Sequence, residues 1–145
     1  MSYRSLADEK VWAFLAALPA RTAKLATVRA DGRPHIAPVW YVLDDDGSLV
    51  FNTGETTVKG RNMRRDPRVA LCVEDDRPPF SFVTMEGVVE ISNDLDEVRP
   101  LASRIGGRYM GADRAEEYGA RNGVPGELAV RVQPRHVVAA FDLAD

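Results

Sequence analysis

The chain has 145 residues, of which 45% are hydrophobic and 28% charged. This balance is typical of globular proteins, and the length suits one domain, spanning residues 1–145, better than two. The net charge of −3 gives no general attraction for nucleic acid, and a single cysteine, Cys72, excludes an intramolecular disulfide. The sequence opens without a secretory leader and has no run near the ~20 apolar residues that span a bilayer. We therefore expect a cytoplasmic protein that has neither nucleic acid nor a membrane as partner.

The first third of the chain predicts a helix followed by strands. Apolar residues at helical spacing end before Pro19 and predict a helix over residues 8–18. Three strand patterns follow, over residues 22–28, 36–43 and 48–53. Asp31 and Gly32 are a strong hairpin signal between the first two. Three consecutive strands before the next helix predict a meander, which argues against parallel βαβ units.

The rest of the chain predicts further strands with helical insertions. The remaining elements are a short helix over residues 56–65, strands over 68–74, 80–91 and from 127 toward 141, and a helical insertion over 94–121. Gly106 and Gly107 are expected to break this insertion, and Gly87 to mark a bulge. Pro38 cannot donate a ladder hydrogen bond, so it belongs at a sheet edge or bulge. Six or seven antiparallel strands indicate a sheet closed wholly or partly into a barrel, because closure removes exposed edges.

Few side chains in the sequence suit a standard catalytic mechanism. The two histidines, His35 and His136, have no cysteine or carboxylate at metal-ligand spacing, so we expect no metal site. The sequence also lacks a G-x-S-x-G elbow, a P-loop and a G-x-G-x-x-G turn. His35 either donates a proton to a substrate or is an ordinary strand residue. We therefore assign no catalytic side chain from the sequence.

The most informative segment is residues 52–68, which leaves a strand, turns at Gly54 and enters a helix. Two hydroxyls and two cations lie in the first turns of that helix: Thr56, Thr57, Lys59 and Arg61. A helix start favours an anion through its free N–H groups and positive dipole end, and these side chains would complete a phosphate site. In the alternative interpretation Thr56 only caps the helix, and the cations form a solvated face.

Four motifs resemble those of a known superfamily. They are residues 25–35 (LATVRADGRPH), 38–41 (PVWY), 59–68 (KGRNMRRDPR) and 86–87 (EG). Their order and spacing resemble the pyridoxamine 5′-phosphate oxidase-like split-barrel superfamily, and within it the actinobacterial oxidoreductases that use the deazaflavin coenzyme F420. The run from Lys59 to Arg68 is the more specific motif, whereas the run over residues 26–34 is shared with FMN-binding relatives. The likeness is good from Leu15 to Ile91 and poor in the last third of the chain.

The resemblance implies a six- to seven-stranded antiparallel split β-barrel, mainly β with α insertions, that works as a homodimer with two cofactor sites at the subunit interface. By position, the cofactor phosphate would meet Thr57, Lys59 and Arg61, with Asn62 supporting the loop. The ring and ribityl chain would lie against Pro38, Val39, Trp40, Asn52 and Thr53. Phe80 and Phe82 of the partner subunit would lie across the ring. Without the resemblance, Trp40 and Phe80 are equally well explained as core residues.

The function implied by the resemblance is that of an oxidoreductase that passes a hydride from reduced F420 to an unsaturated or quinone-like small molecule. An FMN-dependent oxidase or reductase would use the same phosphate site. A third alternative is a non-catalytic module that binds a flavin, F420 or haem. Nucleic-acid binding through the arginines of residues 61–68 is disfavoured by the negative net charge.

Overall fold

Alternating apolar residues build an antiparallel sheet in the computed structural model, which describes residues 2–4 and 8–145. The strands are β1 (Ser2–Arg4), β2 (Ala23–Val28), β3 (Pro34–Val39), β4 (Val42–Leu43), β5 (Leu49–Gly54), β6 (Arg68–Asp75), β7 (Ser81–Ser92) and β8 (Glu127–Ala140). The helices are α1 (Glu9–Ala16), α2 (Val58–Arg65), α3 (Leu95–Met110) and α4 (Ala115–Asn122), with a 3₁₀ turn over Ala112–Arg114. Residues 1 and 5–7 of the expected domain lie outside the described residues.

The sheet curls into a split barrel. Its strand order is β3-β2-β6-β7-β8-β5-β4, with β1 paired to β8, and every pair is antiparallel. The end strands β3 and β4 follow each other in the chain and are joined by Trp40 and Tyr41. The two sheet edges therefore approach each other at this connection. The predicted antiparallel split barrel of six or seven strands is confirmed. Six strands have six or more residues and form the barrel, and β1 and β4 are short additions to it.

Apolar side chains from alternate strand positions fill the barrel. The largest buried members of this core include Leu25, Tyr41, Leu49, Phe51, Val83, Met85, Leu128 and Val130. Helix α1 packs against the same core with Val11 and Leu15, both without solvent exposure. Fully burying a side chain of this kind contributes about 1.5–3 kcal/mol, so the barrel is a rigid frame for the loops and helices attached to it.

The predicted meander is confirmed in its two pairings, β2 with β3 and β4 with β5, but its second strand is divided. Strand β5 pairs with β8 and with the two-residue β4, and it does not pair with β3. The chain leaves the sheet at Tyr41, whose backbone N–H donates to the Tyr109 hydroxyl (3.1 Å) and whose carbonyl accepts from Arg108 (2.7 Å). Because helix α3 takes these backbone groups, the pattern over residues 36–43 divides into β3 and β4 at opposite edges.

The glycines of the helical insertion also differ from expectation. Helix α3 runs without interruption through Gly106 and Gly107, so these residues do not break it. A Cβ atom on Gly106 would lie 2.2 Å from the Cβ atom of Tyr118, which means that the missing side chain lets α4 pack closely on α3. The expectations for Gly87 and Pro38 are confirmed, since the β7–β8 register shifts between Glu86 and Gly87 and Pro38 lies on edge strand β3.

Candidate functional site

The turn from β5 into α2 is tight and is fixed by Thr57. The Thr57 hydroxyl accepts from the Gly60 N–H (3.0 Å) and donates to the Gly54 carbonyl (2.8 Å). A Cβ atom on Gly60 would lie 2.3 Å from the Gly54 carbonyl oxygen, so the helix start lies directly against the strand end. The first two helical residues, Val58 and Lys59, have no carbonyl one turn earlier in the helix to accept from their N–H groups. These N–H groups and the helix dipole favour an anion at this end of α2.

A cavity of about 290 Å³ lies between the end of β3, strand β5 and helices α2, α3 and α4. Its lining consists of Pro38, Val39, Trp40, Asn52, Lys59, Ala102, Ile105, Gly106, Tyr118 and Asn122. The structure therefore brings together five residues that the sequence predicted for a cofactor site: Pro38, Val39, Trp40, Asn52 and Lys59. Lys59 is the one cation among the lining residues, and it belongs to the first turn of α2.

Three aromatic rings stand at the crossing between β3 and β4. Trp40 stacks on Tyr109 with ring centroids 5.0 Å apart and planes 2° apart, and it is tilted by 55° from Tyr118 at 6.2 Å. The Tyr109 hydroxyl donates to the Arg21 carbonyl (2.6 Å) in addition to accepting from the Tyr41 N–H. These hydrogen bonds hold the Tyr109 ring in place, and stacking on Tyr109 fixes the orientation of the Trp40 ring.

The other predicted residues of this region hold α2 against the barrel. Thr53 is buried, and its hydroxyl lies 3.0 Å from that of Thr57. Asn62 is 3% exposed; its amide donates to the Thr27 hydroxyl (3.0 Å) and its carbonyl oxygen accepts from Arg65 (3.0 Å). These polar groups are satisfied within the protein, so their visible effect is to position the start of α2.

The cations of the 59–68 segment fall into two groups. Arg64 pairs with Glu55 (3.4 Å), Arg68 pairs with Asp66 (2.8 Å), and Arg65 donates to the Val28 carbonyl (2.7 Å). Lys59 and Arg61 have no ion pair or hydrogen bond with a side chain among the described residues. These two cations are therefore available to a bound anion.

Glu127 is a second carboxylate at this turn, besides Glu55 within it. It lies opposite Gly54 in the β5–β8 pairing, and its Oε1 would be 3.6 Å from a Cβ atom on that glycine. Burial raises the pKa of Glu127, while the charge of Lys59 acts in the opposite direction. Glu127 and Lys59 are therefore close enough for their charges to interact, but they do not form a close ion pair.

His35 has an unsatisfied ring nitrogen. Its Nδ1 is buried and has no hydrogen-bond partner, the single such side-chain atom within the described part of the chain. His35 lies opposite Thr27 in the β2–β3 pairing, so the two side chains share a face, and Thr27 bonds to Asn62 of α2. Buried polar atoms without partners are rare in folded proteins, so this nitrogen is an exception among the described residues.

Phe80 and Phe82, which were predicted for the cofactor ring, lie away from this cavity. Phe80 precedes β7 with a backbone φ of 64° and is 41% exposed, and Phe82 lies on β7 opposite Glu74 and Ala140. Neither ring lines the cavity. In the described residues there is also no grouping of three or more His, Cys, Asp or Glu that could hold a metal ion, and no helix there has the length and apolarity to cross a membrane.

The sequence matches the family described as pyridoxamine 5′-phosphate oxidase over residues 7–139. The chain belongs to this family. The resemblance inferred from the four motifs is thereby confirmed.

Named relatives of this pyridoxamine 5′-phosphate oxidase family member are oxidoreductases. A pyridoxine/pyridoxamine 5′-phosphate oxidase of Pseudomonas paraeruginosa is 32% identical over 108 residues, which cover 63% of this chain and 47% of that protein. The chain spans about half the length of the first curated relatives that it matches. An F420H(2)-dependent biliverdin reductase of Mycobacterium tuberculosis is 27% identical over 125 residues, which cover 85% of this chain and 82% of that protein.

The fold of this family member is shared with solved structures. The crystal structure of a conserved hypothetical protein from Mycobacterium tuberculosis superimposes with a TM-score of 0.82, at 28% identity, covering 98% of this chain and 86% of that one.

Sequence reasoning missed the part of the cavity wall that comes from α3 and α4. Five lining residues belong to these helices: Ala102, Ile105, Gly106, Tyr118 and Asn122. The available signal is the Gly106-Gly107 pair, which predicts a helix break; instead, Gly106 lies against Tyr118 of α4 and Gly107 against Ala115 of α4.

Proposed function

We propose that this chain binds a phosphorylated flavin-type cofactor, the deazaflavin F420, at the start of α2 and acts as an oxidoreductase on an unsaturated or quinone-like small molecule. The observation that carries the proposal is the cavity that unites Lys59 with Pro38, Val39, Trp40 and Asn52. The F420-dependent biliverdin reductase supports F420 over FMN, because it matches over most of both chains. FMN is the alternative, in keeping with the oxidases of the family.

The residues at the start of α2 fit the phosphate of such a cofactor. Lys59 and Arg61 supply cations that no side chain neutralises by a close pair, and the N–H groups of Val58 and Lys59 supply donors. Thr57 contributes by holding the turn, since its hydroxyl already bonds to Gly54 and Gly60.

The chain's own residues orient the cofactor and exclude water, and no side chain is required as a nucleophile. When bound, F420 supplies the hydride chemistry. Val39 and the Trp40–Tyr109 stack form a firm apolar surface beside the phosphate site, and the Asn52 amide is anchored to the Leu128 carbonyl (3.1 Å). A ring held there lies at a fixed distance from the phosphate, which is the positioning that hydride transfer needs.

A second copy of the chain is proposed to complete the site. The outer face of β2, β3, β6 and β7 carries a groove of about 550 Å³. Its apolar lining includes Ala26, Val28, Pro34, Ala70 and Val88, and Arg68, Glu86 and Arg135 also line it. Ile36, on the same face of edge strand β3, is 67% exposed. Large exposed apolar surfaces of this kind are typical of protein–protein contacts. A homodimer formed there would present Phe80 and Phe82 of the partner subunit to the cofactor ring.

The dimer proposal predicts that Ile36→Asp converts the protein to a monomer. A charge placed at a desolvated apolar contact opposes association. Light scattering after size-exclusion chromatography measures the mass, and F420 affinity should fall with the loss of the dimer. Val124→Asp, at an apolar position that is 39% exposed and lies outside the groove, is the control and should remain dimeric. A dimeric Ile36→Asp protein would refute this interface.

Glu127→Gln is expected to tighten F420 binding by about threefold, because it removes a negative charge near Lys59 at a partly exposed position. The difference from the wild type should appear only above the pKa of Glu127, since below it both side chains are neutral. Because burial raises that pKa, the onset should lie above the ordinary range of a glutamate. Fluorescence titrations across a pH series measure this, and equal affinities at all pH values would show that Glu127 does not face the phosphate.

A side-by-side titration of the purified apo-protein with F420 and FMN tests the proposed function. We expect saturable binding of F420, followed by reduction of a quinone when the cofactor is supplied in its reduced form. Tighter binding of FMN would favour the oxidase alternative, and FMN would also colour the protein as purified. Binding without turnover on any acceptor would indicate a non-catalytic module, and binding of neither cofactor would refute the proposal.

A further inference from the structure

The loop before β7 holds Phe80 in an unusual backbone conformation. Phe80 has a φ of 64°, in the left-handed region that residues with a bulky side chain rarely adopt. Its N–H donates to the Arg77 carbonyl (2.8 Å), which closes a tight turn. A conformation of this kind costs free energy and persists only where the surrounding structure holds it.

The chain that follows β8 supplies these contacts, and we call residues 142–145 the clamp segment. Three consecutive N–H groups of the clamp segment donate to three consecutive residues at the entry to β7. Asp142 donates to the Ser81 hydroxyl (3.0 Å), Leu143 to the Phe80 carbonyl (2.9 Å) and Ala144 to the Pro79 carbonyl (2.9 Å). These bonds extend the contact between β7 and β8 past the ends of both strands, and they fix the backbone on either side of the Phe80 ring.

The clamp segment starts from a fixed point. The ring of Phe141 meets that of Phe14 on α1 with centroids 5.8 Å apart and planes at 67°, and the Lys10 ammonium lies 4.5 Å from the Phe141 centroid. The chain then turns at Asp142, whose φ is 53°, and aspartate enters the left-handed region more readily than most residues. The bonds to the Phe80 loop are therefore tied to the barrel and to α1.

The Phe80 ring stays exposed although its backbone is held. Val83 and Met85 point into the barrel, so the alternation along β7 turns Phe82 to the outer face, where Val88 lines the groove of the proposed dimer contact. Phe80 lies two residues before Phe82 and is 41% exposed. The clamp segment thus orders an exposed aromatic residue beside the face on which a second copy is proposed to dock.

We propose that the clamp segment is a positioning element, which presents Phe80 to the cofactor ring in the partner subunit. The inference rests on the proposed function, since that function places Phe80 of the partner subunit across the ring. It goes further in assigning a role to residues 142–145 and to the Ser81 hydroxyl. An aromatic side chain on an ordered backbone loses little conformational freedom when it meets a ligand, so more of the contact free energy is retained as affinity.

Deleting the clamp segment is expected to weaken F420 binding by about fivefold, within the range that one aromatic contact contributes. Phe80→Ala should show a similar loss. Deleting the segment from the Phe80→Ala protein should then cost less than about twofold more, because both changes remove the same contact. Fluorescence titration measures the affinities, and light scattering should show a dimer for every variant.

Ser81→Ala tests the clamp with a smaller change. It removes the acceptor of the Asp142 N–H, so we expect faster hydrogen exchange at the Leu143 and Ala144 amides and about twofold weaker F420 binding. Ser81→Thr keeps a hydroxyl and should restore both values. Ser92→Ala is the matched control, because it loses the same kind of bond, to the Asp94 N–H (3.2 Å), at the other end of β7; it should bind F420 as the wild type does.

Three results would overturn the inference: normal affinity after deletion of the clamp segment, a full additional loss from that deletion in the Phe80→Ala protein, or a monomeric deletion variant. The last would mean that the segment supports association rather than the position of Phe80. Failure of the wild type to bind either F420 or FMN, seen before any variant is compared, would instead refute the proposed function and the inference with it.

Discussion

Lys59→Ala is expected to weaken F420 binding by about 1–3 kcal/mol, because it removes a charge-assisted hydrogen bond to the phosphate. Lys59 is the cation in the cavity wall, and neither Lys59 nor Arg61 is held by a close ion pair among the described residues. The loss should be seen with FMN as well, to the extent that FMN binds, since both cofactors carry a phosphate. Fluorescence titration at fixed ionic strength measures both affinities.

Arg64→Ala is the matched control for Lys59→Ala. Arg64 lies on the same helix and carries the same charge, but it pairs with Glu55 and is half exposed. We expect its removal to change the affinity by less than about twofold. Arg64 lies outside the cavity and is exposed, so water and dissolved ions screen its attraction for the phosphate. An equal loss in the two variants would mean that α2 attracts the cofactor through its overall charge, and unchanged affinity in Lys59→Ala would remove Lys59 from the site.

Gly60→Ala is expected to lower the free energy of unfolding by about 1–3 kcal/mol through overpacking and to weaken cofactor binding at the same time. The added Cβ atom would lie 2.3 Å from the Gly54 carbonyl oxygen and 3.0 Å from the Thr57 Oγ1. Because the first of these is a backbone atom, the start of α2 must move away from β5. Helix propensity predicts the opposite sign, since alanine is favoured over glycine inside a helix by about 1 kcal/mol.

The matched control for Gly60→Ala is Gly54→Ala, at the other side of the same turn. A Cβ atom on Gly54 would meet Thr57 at 3.4 Å and Glu127 at 3.6 Å, which are ordinary contact distances. Thermal or urea unfolding of both variants, together with F420 titration, separates the effect of the turn from that of glycine itself. A stabilised Gly60→Ala protein with normal affinity would show that the close approach of strand and helix is not needed.

The part of the cavity wall formed by β5 and α2 could be predicted from the sequence because its signals are local. A strand end, a glycine turn and a cation in the next helical turn all lie within residues 52–61, and the structure joins Asn52 and Lys59 in one cavity. The split barrel was likewise predictable from the succession of strands. The position of Pro38 on an edge strand followed from its missing N–H group.

The wall formed by α3 and α4 could not be predicted because its signals are distant. The strand pattern over residues 36–43 is divided by bonds from Arg108 and Tyr109, nearly 70 residues later in the chain. The role of Gly106 depends on Tyr118, which belongs to another helix. Helical periodicity marks an apolar face without showing what that face meets.

The proposed function requires that the start of α2 holds the phosphate of the cofactor. It is tested most directly by comparing the wild-type affinity for F420 with that for the deazaflavin nucleoside that has the same ring and ribityl chain but no phosphate. We predict that the affinity falls by at least about tenfold without the phosphate, because the phosphate is the group that accepts charge-assisted hydrogen bonds from the start of α2. Equal affinities for the two compounds would contradict the account.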